Sequence, residues 1–168
     1  MRLTRAGEYA VRCVLYLSRQ GEGVLVSRQE VATATDTPTH FLAKIAQQLA
    51  KAGIIEIVQG AKGGYRLLRP PTAITLLEVI ETIIGEIFLN DCIARPSSCR
   101  NSLACTVHRV WLKAREQLRA TLASVNFADL LAEECCCLNP LLNPALLNSV
   151  DDKCEDNIEK INPRGRQR

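Results

Sequence analysis

The most constraining feature of this sequence is a pair of short helix signals separated by a tight break. Ser27 and Glu30 have the spacing of a capping box, which predicts that a helix begins there. Residues 36–38 break this helix. A second helix is predicted to begin beside Thr39 and to end at Gly53, because glycine readily adopts the left-handed conformation of a C-cap. Two short helices joined by a turn predict a helix-turn-helix.

A β-hairpin is predicted directly after the second helix. Residues 54–58 form an apolar, largely β-branched run, and residues 65–68 form a second apolar stretch. A glycine-rich turn at residues 59–64 joins them, and Pro70 and Pro71 close the second stretch. A hairpin behind a helix-turn-helix is the wing of a winged-helix domain.

Helical periodicity recurs outside this unit. Apolar residues follow spacings of three and four in residues 4–19, 75–87 and 107–131. The third segment is a natural dimerisation helix, with packing against its own domain as the alternative. The sequence therefore predicts a mainly α fold, a winged helix-turn-helix with a small β-hairpin wing plus a long C-terminal dimerisation helix.

The chain is predicted to divide into three parts. Residues 1–72 form the winged helix-turn-helix DNA-binding domain, residues 73–134 hold a cysteine loop and the dimerisation helices, and residues 135–168 form a disordered, cysteine-containing tail. Residues 1–72 contain ten Lys or Arg and five Asp or Glu. Residues 73–168 contain eleven Lys or Arg and thirteen Asp or Glu. This basic excess favours a polyanion such as DNA as partner, with an ordinary solvated basic surface as the alternative.

The apolar residues do not form a membrane-spanning segment. No stretch approaches 18 uninterrupted apolar residues, and the N-terminus lacks the pattern of a signal peptide. We therefore expect a cytoplasmic protein with no membrane partner.

Eight cysteines in a reducing compartment argue against a disulfide framework, so metal binding, redox chemistry or burial must account for them. Cys13, inside the first predicted helix, is expected to be a small core residue.

Residues 90–106 form the cysteine loop, which carries candidate metal ligands. Cys92, Cys99 and Cys105 are separated by six and five residues, and His108 follows one helical turn after Cys105. Thiolates select zinc, cuprous copper or iron-sulfur clusters, and the wide gaps favour a cluster over a zinc ion. The alternative is three unrelated cysteines beside a surface histidine. No phosphate-binding loop or catalytic motif is present, so the protein is not expected to be an enzyme or an electron carrier.

Three sequence features together resemble one known family. They are the opening MRLTRAGEYAVR, the segment LAKAGIIEIVQGAKGGYRL and the three loop cysteines. Over about residues 1–135 the chain resembles the bacterial Rrf or BadM family of winged-helix regulators, typified by IscR, NsrR and RirA. The resemblance implies a homodimer that docks on a palindromic double-stranded DNA operator. It also implies an iron-sulfur cluster whose presence or redox state sets DNA affinity or site choice.

The resemblance leaves two possibilities for the fourth cluster ligand. IscR-like members use a histidine placed as His108 is, which implies a 2Fe-2S cluster and is preferred here. NsrR-like members use an acidic residue of the first helix, matched by Glu8 of the partner subunit, which implies a 4Fe-4S cluster. The gap between Cys92 and Cys99 is one residue longer than in the IscR pattern. A family arginine that reaches the minor groove is replaced by Gln59.

Docking by analogy with other helix-turn-helix proteins predicts the DNA contacts. The N-terminal end of the second helix of the motif would enter the major groove, the start of its first helix would contact phosphates, and the wing tip would approach the minor groove. The predicted contacts are Thr39, His40, Phe41, Ala43 and Lys44 in the major groove, Ser27 and Arg28 at phosphates, and Gln59 and Lys62 with Gly60, Gly63 and Gly64 at the wing tip.

These features favour a transcriptional regulator that depends on an iron-sulfur cluster and senses iron-sulfur supply, iron, nitric oxide or oxidative stress. Repression is its expected output. The alternative is a clusterless regulator of the same family that senses through zinc or cysteine thiol redox. Four further cysteines lie outside the resemblance: Cys135, Cys136, Cys137 and Cys154. Three roles stay open for them: an auxiliary metal ligand, a scavenger of oxidants, or an incidental cluster in the tail without a function.

Overall fold

The computed structural model describes residues 4–60, 62–101 and 104–132. Residues up to 131 belong to one compact unit. The helices are α1 (Arg5–Gln20), α2 (Arg28–Ala34), α3 (Thr39–Lys51), α4 (Leu76–Ile84), α5 (Asp91–Ala94) and α6 (Thr106–Ala123). The strands are β1 (Val26–Ser27), β2 (Ile55–Val58) and β3 (Gly64–Leu67). The predicted mainly α winged helix-turn-helix is confirmed.

Local capping interactions set the ends of the helix-turn-helix as predicted. The Ser27 hydroxyl accepts a hydrogen bond from the Glu30 amide at 3.2 Å and begins α2. Between the helices, the Thr35 hydroxyl donates to the Val31 carbonyl at 2.7 Å. Asp36 has a φ of 49°, a left-handed conformation that Asp tolerates better than most residues and that reverses the chain. Gly53, at φ 71°, follows α3.

The wing belongs to a three-stranded antiparallel sheet with strand order β1-β3-β2. The sequence predicts only the β2–β3 hairpin, because two-residue β1 carries too little periodicity to be detected. β1 lies so close to β3 that a Cβ on Gly64 would be 1.9 Å from the Val26 carbonyl oxygen. The prediction that Gly64 serves the exposed wing tip is therefore wrong: it is buried between strands.

The core is formed where α1, α3 and α4 pack together. Leu17, Leu42 and Val79 are among its fully buried side chains. Cys13 is also fully buried, as predicted, and burial raises the pKa of its thiol to about 12. That thiol is therefore neutral and unreactive at physiological pH. Although α4 begins after the predicted boundary at residue 72, it packs on the preceding helices; the three-part division stays a prediction.

The C-terminal helix is shorter than predicted. α6 ends at Ala123, whereas the periodicity predicts a helix to about residue 131. The chain then returns to the core: Leu76 donates to the Val125 carbonyl at 2.9 Å, and Phe127 donates to the Ile74 carbonyl at 3.1 Å. Phe127 is fully buried, and a new helical segment spans residues 127–132. Docking of this aromatic side chain breaks the predicted continuous helix.

Two predictions concern other regions of the chain. The predicted disordered tail and its four cysteines, from residue 135 onward, lie outside the described residues. In the part of the chain that the structure describes, no helix is both long and apolar enough to cross a membrane.

Candidate nucleic-acid interface and metal centre

The exposed face of α3 carries the residues predicted to read bases. Leu42, Ile45 and Leu49 are buried in the core, which orients the opposite side of α3 outward. The first turn of α3 contains no acidic residue, so it does not repel a phosphate backbone. Each residue predicted for the major groove is exposed: Thr39, His40, Phe41, Ala43 and Lys44.

The phosphate and wing-tip candidates are also exposed. Ser27 and Arg28 lie at the start of α2, where the helix N-terminus favours an anion. Tyr16 of α1 donates a hydrogen bond to Glu30 at 3.0 Å, which fixes α2 against α1 and raises the pKa of the Tyr16 phenol. Gln59 and Lys62 lie on the exposed turn between β2 and β3. Their contacts with DNA stay a prediction.

The three loop cysteines lie on short elements near the start of α6. Cys92 is in α5, Cys99 follows a 3₁₀ turn, and Cys105 is the N-cap residue of α6. All three are free thiols of intermediate exposure. Among the residues that the structure describes, no three side chains of Cys, His, Asp or Glu lie close enough together to hold one metal ion. The ligand set therefore stays a prediction.

His108 nevertheless has a property that fits a ligand. Its Nδ1 atom is buried and finds no hydrogen-bond partner among the residues described. A buried ring nitrogen without a partner costs about 1–3 kcal/mol, which a metal ligand bond would offset. Three thiols and one imidazole nitrogen are also the donor types that iron-sulfur clusters accept. The residues present therefore fit such a group in donor chemistry.

An arginine clamp fixes the segment that leads into the cysteine loop. Arg115 of α6 donates to the Ile87 carbonyl at 2.7 Å, pairs with Glu86, and lies 4.7 Å from the centre of the Phe88 ring. Arg119 pairs with Glu86 at 3.0 Å. The side chain of Arg115 is only 16% exposed, whereas that of Glu86 is 52% exposed, so the partly buried hydrogen bond to Ile87 contributes more to this clamp than the solvent-screened ion pair does.

The clamp also reaches α4 and the end of the wing. Arg119 pairs with Glu81 of α4 at 2.8 Å, and Glu81 accepts a hydrogen bond from the Ile87 amide at 3.1 Å. One turn earlier on α4, Glu78 pairs with Arg69, which follows β3, at 2.6 Å. Polar contacts with α4 therefore connect α6, the segment before the cysteine loop and the residue that follows β3.

A second contact joins the cysteine loop to α6. In the orientation that satisfies its side-chain amide, Asn90 donates to the Leu89 carbonyl through its nitrogen. Its oxygen accepts a hydrogen bond from Trp111 Nε1 at 2.9 Å. Asn90 is the N-cap residue of α5, which carries Cys92. Trp111 is the single tryptophan of the chain, so its fluorescence reports on this loop.

The outer face of α6 is apolar and uncovered. Val107, Val110 and Trp111 are 54%, 63% and 39% exposed, and no residue of α6 is buried. α6 packs against its own domain through α4 and α5, as the alternative predicted, but this packing leaves Val110 exposed although the periodicity places it inward. Glu8, the alternative cluster ligand, is exposed in the first turn of α1.

Sequence reasoning missed several of these residues. The clamp joins residues far apart along the chain, and only the four-residue spacing of Arg115 and Arg119 gives a local signal. Asn126 and Asp129 have capping-box spacing, and the Asn126 side chain does accept from the Asp129 amide at 3.0 Å. That signal could have revealed the break after α6.

Comparison with known proteins identifies the family. Residues 3–133 match the Rrf2 family, described as an iron-dependent transcriptional regulator. The HTH-type transcriptional regulator NsrR of Geobacillus kaustophilus is 32% identical over 134 residues, which cover 79% of this chain and 91% of that relative.

Two solved structures share the fold. T. potens IscR matches with a TM-score of 0.59 and 24% identity, over 80% of this chain and 88% of the other. The oxidized form of Staphylococcus aureus CymR matches with a TM-score of 0.61 and 23% identity, over 77% and 95%. The family resemblance seen in the sequence is confirmed: the chain belongs to the Rrf2 family of DNA-binding transcriptional regulators, which are not enzymes.

Proposed function

We propose that this regulator holds an iron-sulfur cluster and changes its affinity for an operator according to the state of that cluster. The observation that carries the proposal is the buried Nδ1 of His108, which has no hydrogen-bond partner among the described residues, on a helix preceded by a loop with three free thiols. Cys92, Cys99, Cys105 and His108 would hold a 2Fe-2S cluster, with Glu8 of the partner subunit as the alternative fourth ligand of a 4Fe-4S cluster. The description of the matched family as iron-dependent agrees with this.

A bound cluster supplies a centre that exchanges electrons and is attacked by oxidants and nitric oxide. The chain's own residues would convey its state to the DNA-binding surface. Arg115 holds the segment before the cysteine loop against α6, and Glu81 and Glu78 connect that segment with Arg69 behind the wing. A change in the loop would thereby reach the wing through α4.

A clusterless regulator remains the second candidate function. One observation favours it: the described residues group no three ligands closely enough for a metal ion, while the loop thiols are free. In that case the thiols themselves would be oxidised, which is the form that this observation favours; the zinc form would need the loop to bring its ligands together. The experiment below separates the two candidates.

Protein reconstituted anaerobically with iron and sulfide is expected to select a palindrome from a random duplex library. Removal of the cluster should change the Kd for that duplex by about tenfold, within the usual range of coupling between two sites. Arg28→Ala should weaken binding to all duplexes alike and lower the salt slope by about 1. The measurements are absorbance, iron and sulfide content, and fluorescence anisotropy. Protein that stays colourless after reconstitution, with DNA binding that responds only to thiol oxidants or zinc, would favour the clusterless candidate.

We propose further that the protein is a homodimer joined through α6. Val110→Asp is expected to weaken the dimer at least about a hundredfold, because an unpaired charge in an apolar interface costs several kcal/mol. Glu116→Lys, at an exposed position on a different side of the same helix, should leave the dimer intact. Sedimentation velocity across micromolar concentrations measures the difference. Equal effects of the two variants would contradict an α6 interface.

A further inference from the structure

Three aromatic side chains from two helices meet at the exposed end of α3. The ring centres of His40 and Phe41 are 4.5 Å apart, with planes inclined by 43°. The ring centres of Phe41 and Tyr9 are 6.1 Å apart, with planes inclined by 51°. Both distances lie in the range of favourable aromatic pairs. Tyr9 comes from α1 and itself packs against the hydrophobic core.

Phe41 is not needed to complete that core. It is 42% exposed, whereas its neighbour Leu42 is 1% exposed and fills the interior position. A large apolar ring left partly in water on a recognition helix is available to a ligand. Exposed Arg28 and Lys44 on the same helix-turn-helix match a polyanion in charge. The partner of this ring is therefore expected to be an apolar group on duplex DNA.

We propose that Phe41 reads a thymine methyl group in the major groove and that Tyr9 is its positioning residue. The C5-methyl group of thymine is the one apolar group that base pairs present in that groove, and side chains such as Phe contact it. Tyr9 supports the inner side of the Phe41 ring and is itself held by the core, so the ring meets the groove at a fixed angle. The inference rests on operator binding in the proposed function and adds an A·T preference at one position of each half-site.

The test removes only the methyl group. In the duplex that the wild type selects from a random library, each thymine of one half-site is replaced singly by deoxyuridine, and Kd is measured by anisotropy. One replacement should weaken wild-type binding about fourfold, the value of about 0.8 kcal/mol for one buried methyl group. The same replacement should leave the Kd of Phe41→Ala unchanged.

Two variants of Tyr9 separate positioning from general stability. Tyr9→Phe keeps the ring and should retain the fourfold ratio between thymine and deoxyuridine duplexes. Tyr9→Leu should bring that ratio below about twofold, because the support for Phe41 is lost. Tyr16→Leu removes a ring about two helical turns further along α1, where Tyr16 is hydrogen-bonded to Glu30 of α2, and should keep the ratio. Each ratio compares the Kd values of two duplexes for the same protein. Partial unfolding raises both Kd values by the same factor and therefore leaves the ratio unchanged.

Three results would count against these assignments. No effect of deoxyuridine at any position, or an equal effect in wild type and Phe41→Ala, would overturn the thymine contact while leaving operator binding intact. A full ratio in Tyr9→Leu would overturn the role of Tyr9. Selection of no sequence at all would contradict operator binding itself, and this inference with it.

Discussion

Replacing Cys92, Cys99 or Cys105 singly by alanine is expected to reduce bound iron and sulfide to nearly zero and to abolish visible absorbance after anaerobic reconstitution. Thiolates supply most of the ligand bonds that hold an iron-sulfur cluster. Loss of one would leave the cluster one protein ligand short, at a site whose cysteines are of intermediate exposure. Metal analysis and an absorbance spectrum measure the effect.

Cys13→Ala provides the matched control. Its thiol is fully buried, and burial raises its pKa to about 12, so it cannot serve as a cluster ligand. This variant should keep full iron and sulfide content, while the loss of the buried sulfur costs about 1 kcal/mol of stability. Iron content that falls equally in Cys13→Ala and the loop variants would contradict the assignment of the loop as the cluster site.

The fourth ligand is resolved by a second pair of variants. His108→Ala should shift the absorbance spectrum and shorten cluster lifetime if His108 completes a 2Fe-2S site, with Glu8→Ala unaffected. The reverse pattern would assign Glu8 of the partner subunit and a 4Fe-4S cluster. The buried Nδ1 of His108 is the reason to expect the first result.

The parts of the fold that depend on neighbouring residues could be predicted from the sequence. The N-caps Ser27 and Thr75 each accept a hydrogen bond from the amide three residues later, so a few letters are enough to fix where these helices begin. The helix-turn-helix and the hairpin follow from such signals. The exposed α3 positions follow from the helical period, because Leu42 and Ile45 are buried.

The parts that depend on distant residues could not be predicted. The pairing of Val26 with Tyr65 and of Ser27 with Gly64 creates β1, and the insertion of Phe127 into the core ends α6. Neither contact has a local pattern of its own, although the spacing of Asn126 and Asp129 does mark the break after α6. The Arg115 clamp and the Tyr9–Phe41 pair join residues on separate helices for the same reason. The cysteine spacing predicts the donor types of the proposed cluster site, but it does not predict their arrangement, because that depends on contacts between distant residues.

Gly64→Ala is expected to destabilise the protein by about 3 kcal/mol, which lowers the melting temperature of a domain of this size by roughly 10 °C. The new Cβ would lie 1.9 Å from the carbonyl oxygen and 2.7 Å from the carbonyl carbon of Val26. Both atoms belong to the backbone of β1, so no side-chain rotation can relieve the clash. The β1–β3 pairing must open. Thermal unfolding followed by circular dichroism measures the loss.

Gly53→Ala separates this steric cost from the ordinary cost of replacing a glycine. Gly53 has a φ of 71° and open space around its Cβ position, so alanine there should cost only about 1 kcal/mol of backbone strain. Because β1 runs directly into α2, opening its pairing with β3 would also displace Ser27 and Arg28 from the proposed DNA-binding surface. Gly64→Ala should therefore lose operator affinity even at temperatures where it is still folded. Equal stability of the two variants would show that β1 can move away from β3 at little cost, and the wing would then not depend on this close packing.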